Sequence, residues 1–159
     1  MPNQFSVGYP DPNALNPIPR TENRNATLRS VVVPVLLLTT TLVAEQVFIA
    51  KIRSDAIILP TSQFIHGAAG GTTTIDLGFA NEVPGAAVNC LAAAQSIVAA
   101  GTKAGMASVT TPNLGRRAWE LAGLASDPRR EMDLAFTVRT AAATANTQLF
   151  AQIHYVLGA

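Results

Sequence analysis

The sequence predicts an all-β protein: an antiparallel β-sandwich (jelly-roll-like) or barrel with one short helix and an extended N-terminal arm. Three observations predict it. Near the C-terminus, Met-Asp-Leu-Ala-Phe-Thr-Val-Arg and Thr-Gln-Leu-Phe-Ala-Gln-Ile-His-Tyr-Val-Leu place apolar residues at every second position. A period of two is that of a half-buried strand. Short apolar segments recur along the chain with turn residues between them at intervals of about ten, the spacing of sandwiches and barrels. No regular alternation with helical segments is present, which argues against parallel βαβ units.

Residues 1–26 are expected to be the arm, laid across a neighbouring subunit, with a disordered tail as the alternative. Pro2, Pro10, Pro12, Pro17 and Pro19 are mixed with asparagines. Proline lacks a backbone donor and fixes φ, so neither a helix nor a central strand is built there. Five isolated apolar residues, Phe5, Val7, Tyr9, Leu15 and Ile18, are suited to plug into another surface and are candidate partner-binding residues. Fully extended, 26 residues at about 3.3 Å each reach on the order of 80 Å. A single domain, 27–159, follows.

Within that domain, residues 28–38 are β-branched and apolar on both faces, with Pro34 directing the strand to a sheet edge or a bulge. A strand over 45–52 puts Phe48, Ala50 and Ile52 on one face and Lys51 on the other. Short strands are expected at 56–59, stopped by Pro60, and at 62–66. Gly67-Ala-Ala-Gly-Gly is a turn. The following strand, 72–79, sets Ile75, Leu77 and Phe79 on one face and leaves Asp76 solvated on the other. Residues 81–85 form a loop. Alanine-rich 86–100 is the best helix candidate, as one helix or as a short helix with an extended end. A loop with a short strand near 107–109, a turn at 112–115 and a Trp119-bearing segment lead to Asp127-Pro128. The chain then enters a long C-terminal hairpin, its strands joined by the small residues 140–146. Met132, Leu134, Phe136, Val138, Leu149, Ile153 and Tyr155 are its predicted core. Phe150 and Val156 interrupt the polar outer face, and Phe150 is a candidate contact residue.

Only 13% of the residues are charged and the net charge is +1, against a typical charged fraction of about a quarter. A surface so poor in charge suits contact with copies of itself or with a larger assembly. The absence of a Lys/Arg block argues against a nucleic-acid partner, because that affinity rests on several phosphate contacts. No secretory pattern is expected at the N-terminus. The most apolar run, 31–44, is shorter than the roughly 20 residues that span a bilayer, so no membrane partner is expected.

Chemistry is not legible. The single cysteine, Cys90, sits among small apolar residues and reads as an inert thiol. His66 and His154 have no co-ligands at helical or strand spacing, and zinc needs three or four convergent ligands. No nucleophile elbow or phosphate-binding motif appears. The expectation is no enzyme, no metal and no cofactor. Charge gathers in one stretch, Arg116, Arg117, Glu120, Asp127, Arg129, Arg130, Glu131 and Asp133. Its four arginines are candidates for inter-subunit ion pairs, if the stretch is more than a solvated turn.

From residue 45 onward, certain segments carry a resemblance: Val47-Phe-Ile-Ala-Lys-Ile-Arg, Ile57-Ile-Leu-Pro-Thr-Ser-Gln-Phe-Ile, Thr72-Thr-Thr-Ile-Asp-Leu-Gly-Phe-Ala-Asn, Ala118-Trp-Glu-Leu-Ala-Gly-Leu-Ala-Ser-Asp-Pro and the closing Ala-Asn-Thr-Gln-Leu-Phe-Ala-Gln-Ile-His-Tyr-Val. The order of segments resembles small virion structural proteins of tailed bacteriophages, the capsid decoration (cement) proteins in particular. That resemblance implies a β-sandwich on the capsid surface of a virion, made in the host bacterial cytoplasm. It implies the major capsid protein and the chain itself, as dimer or trimer, as partners, and it brings no catalytic residues. The arm would suit a reach across a capsomer junction. Other expectations are a tail, neck or fibre-base component, or a carbohydrate-binding sandwich for host attachment.

Overall fold

The computed structural model describes residues 28–80 and 88–157. Nine strands form two antiparallel sheets: β1 (Leu28–Leu37), β2 (Gln46–Arg53), β3 (Ile57–Ile58), β4 (Gln63–His66), β5 (Thr74–Ala80), β6 (Ala92–Ser96), β7 (Gly101–Ala104), β8 (Glu131–Val138) and β9 (Thr147–Val156). One sheet runs β1-β9-β4-β7, with β3 also on β9, and the other runs β2-β8-β5-β6. The pairs β1 with β9, β2 with β8, β4 with β7 and β5 with β6 make a single two-stranded ribbon whose tip lies between β5 and β6. Rolling that ribbon over brings β9 beside β4 and β8 beside β5. This is the jelly-roll arrangement of a sandwich. The expected all-β sandwich is therefore the observed fold.

The ribbon changes how the C-terminal segment is understood. β8 and β9 are consecutive and both alternate, yet they lie in different sheets and do not form the expected hairpin. Their inward faces meet across the core instead. Met132, Leu134, Phe136 and Val138 face Leu149, Ile153 and Tyr155, every one of them buried. Phe64 packs edge-on against Phe136, with ring centroids 5.2 Å apart and planes at 70°.

Four further departures are local. Residues 92–96 are a strand, not part of a helix. Pairing with β5 satisfies their backbone groups and overrides alanine's helix preference. The strand expected near 107–109 is replaced by β7 at Gly101–Ala104, and 105–108 form turns. The helix is instead a single turn, α1 (Ala118–Leu121), in which Glu120 accepts the Arg117 backbone N–H at 2.8 Å. On β2 the register against β8 shifts between Phe48 and Ala50. The extra residue turns Ile49 inward and leaves Phe48 51% exposed. The loop expected at 81–85 lies outside the described residues.

Just past the end of β7, Gly105 packs on the backbone of Ser62, which immediately precedes β4. A Cβ there would meet the Ser62 carbonyl carbon and oxygen, both at 3.0 Å. Gly105→Ala is expected to lower stability by about 1–3 kcal/mol through overpacking. A urea midpoint equal to wild type would contradict this.

Candidate partner-binding surface

Pro34 sits midway along β1, opposite Phe150, in an unbroken ten-residue register with β9. A proline is tolerated inside such a ladder where its nitrogen faces the open edge. β1 is that edge of its sheet, as Pro34 predicts. Alternate β1 residues pack inward, Val35 and Leu37 in the core, and leave Val32 61% and Leu36 54% exposed. The register then builds a cross-strand strip on the outer face: Pro34 beside Phe150, Phe150 beside Ile65, Ile65 beside Thr102. A parallel row sets Val32 beside Gln152 and Gln152 beside Gln63, whose side-chain amide donates to Gln152 at 3.0 Å. None of the residues in these rows is Asp, Glu, Lys or Arg.

This apolar face continues around the sheet edge. The connection from β1 to β2, residues 38–45, exposes Leu38, Leu42 and Val43, and β2 adds Phe48. The turn is held by its own polar groups: Thr41 Oγ1 accepts the Leu38 N–H, and Glu45 accepts the Leu42 N–H. Apart from Val98 and Leu114, every exposed large hydrophobic among the described residues lies on β1, on its neighbours in the sheet, or on this edge. Clustered exposure of this kind makes the face and edge a candidate contact surface.

The charged stretch behaves differently. Arg53, Ser54, Asp55, Asp127, Arg129, Arg130 and Glu131 line one open depression. Asp127 accepts hydrogen bonds from the Ser54 hydroxyl and, at 2.8 Å, from the Arg129 N–H. These bonds, the Ser54 one foremost, and the nearby Arg117 and Arg129 charges hold its carboxyl below the usual carboxylate range. Arg53 pairs with Asp55 at 2.7 Å and Lys51 with Asp133 at 2.9 Å. Much of this charge is thus matched within the chain.

A depressed folded-state value means that Asp127 adds stability above its unfolded value of about 3.9, lost as pH falls through the folded value. Asp127→Asn is expected to be less stable at pH 7 and to lose less stability between pH 5 and pH 3. Parallel urea-midpoint profiles for the two proteins would contradict it.

Arg117, Arg129 and Asp127 come together as the sequence spacing suggests, with Arg130 lining the same depression. Arg116 is exposed beside Arg117. Phe150 lies on the apolar strip of the outer face. Phe5, Val7, Tyr9, Leu15 and Ile18 lie outside the described residues. Sequence reasoning missed Val32, Leu36, Ile65 and Phe48. An edge strand apolar on both faces was the available signal for the first two.

Asp76, expected to be solvated, is 5% exposed; it accepts the Ala94 N–H at 2.6 Å and a bond from Arg139 at 3.2 Å. His66 is buried, with its Nδ1 3.0 Å from the Gly67 carbonyl oxygen. Burial pushes the Cys90 thiol up to about 12, so it stays protonated and unreactive at neutral pH. Among the described residues, no group of three or more His, Cys, Asp or Glu side chains is placed to hold a metal ion. No described helix is long and apolar enough to cross a membrane.

No protein-family model matches this chain, and no curated protein matches it. Among solved structures it is similar to a chain of the cyanophage Pam1 capsid asymmetric unit. The TM-score is 0.52 and the identity 14%, over 99% of this chain and 100% of that chain. At that identity, the likeness is one of fold.

Proposed function

We propose that this chain is a structural, non-catalytic component of a phage virion. It binds the outside of the capsid and stabilises it by bridging neighbouring major capsid proteins. The observation that carries this reading is the end-to-end match with a component of a capsid repeat unit. The exposed apolar edge at Leu38, Leu42, Val43 and Phe48 supplies what such a role requires: a surface that gains from burial at about 25 cal/mol per Å². On a shell, many identical copies convert modest contacts into strong retention.

The test uses the full chain and expanded capsids that lack it. The protein should co-sediment with them at a fixed ratio and raise their melting temperature. Protein left in the supernatant, with capsid melting unchanged, would overturn the proposal. Labelled particles showing the protein on the tail or neck would move it to another part of the virion.

A further inference from the structure

We propose that the outer face of the β1-β9-β4-β7 sheet seats the arm of a second copy of this chain, through the arm's apolar residues between Phe5 and Ile18. Both participants are copies of this chain, and the arm would cover the sheet face while leaving the apolar edge at Leu38, Leu42, Val43 and Phe48 open to the capsid.

The face defines what it can accept. Its centre is the strip Pro34, Phe150 and Ile65, flanked by Val32 and Leu36, with glutamines and threonine around it and no Asp, Glu, Lys or Arg. Strand addition at the β1 edge is blunted by Pro34, which offers no N–H in the middle of the ten-residue edge. An occupant therefore lies across the face rather than extending the sheet.

The chain preceding Leu28 has matching chemistry. Residues 1–19 carry one charged side chain, Asp11, and hold all five apolar anchors. Their five prolines disfavour ladder pairing and suit an extended segment that docks by its side chains. Length admits a second copy as the source. Residues 20–27, Arg-Thr-Glu-Asn-Arg-Asn-Ala-Thr, contain no large apolar residue. They put the anchors up to about 26 Å from Leu28 at about 3.3 Å per residue. β1 itself, with 10 residues, is about 33 Å long by the same rise. A spacer of that length, with no apolar anchor of its own, is long enough to carry the anchors past the sheet edge to a neighbouring copy. Arm out and face in is a head-to-tail contact, which closes into a ring where the rotation allows.

The test is disulfide trapping with two single-cysteine proteins, Val7→Cys and Val32→Cys, each full length and carrying Cys90→Ala. Mixed and oxidised, they should yield a reduction-sensitive heterodimer as the main cross-linked product. Pairing Val7→Cys with Lys51→Cys, on the outer face of the other sheet, should yield at least tenfold less. Adding Phe150→Lys to the Val32→Cys protein, at a position already part exposed, should cut the heterodimer at least tenfold while the far-ultraviolet circular dichroism stays β-type. Three results would each overturn the proposal: no heterodimer, equal trapping at position 51, or a bridge forming only within one chain when both cysteines share it. The last would assign the face to the chain's own arm.

Discussion

Phe136→Ala is expected to cost about 3–5 kcal/mol, a large share of the 5–15 kcal/mol that holds a domain of this size. Phe136 is fully buried at the middle of β8, with Val47 of β2 on one side and Leu77 of β5 on the other. Its ring edge meets Phe64 from the opposite sheet. Truncation therefore opens a cavity where the two sheets touch, and neither backbone can close it without breaking its ladder. Phe150→Ala removes the same ring from a position 39% exposed. It should move the urea midpoint by an order of magnitude less in free energy, within about 0.5 kcal/mol. Near-equal losses for the two variants would show that the outer face is covered in the isolated protein.

Asp76→Ala should destabilise by about 2–3 kcal/mol, chiefly through the bond to Ala94. A hydrogen bond to a charged group is worth about 1.5–3 kcal/mol. The Arg139 partner is 44% exposed, so its share is small. Asp76 lies where the β5–β6 register shifts between Ile75 and Leu77. It accepts the N–H of Ala94, whose φ of 51° is left-handed and disfavoured for alanine. Losing the carboxylate removes the anchor of that strained residue. Hydrogen exchange at β6 should accelerate more than at β8. Asp76→Asn keeps an acceptor and should lose less; equal losses for Asn and Ala would place the effect elsewhere.

Much of the fold is legible in the sequence because side-chain alternation is local. β9 buries Leu149, Ala151, Ile153 and Tyr155 as its period of two dictates. Pro34 points to an edge or a bulge because proline's missing donor is a local fact with few structural outcomes, and the edge is the one observed. Sheet membership is different. Nothing in residues 132–157 says that β8 and β9 lie in opposite sheets, since that follows from pairings with β2 and β1. Phe48 faces outward because one inserted residue reverses the alternation, and Asp76 is buried because Ala94 and Arg139 come to it. The apolar outer face is half legible: Phe150 and β1 stand out as misplaced apolar residues, whereas Ile65 joins them only through the β4–β9 register.

The single-ribbon pairing also orders events in time. β1, from Leu28, finds its ladder partner only in β9, which ends at Val156. During synthesis at roughly 5–20 residues per second, β1 therefore waits on the order of ten seconds with its apolar side chains unpaired. β9 also separates β1 from β4, so the sheet cannot close before that last strand leaves the ribosome. A product terminated before residue 147 is then not a smaller domain. It is an open ribbon with a bare hydrophobic strand, bound for chaperones, proteases or inclusion bodies.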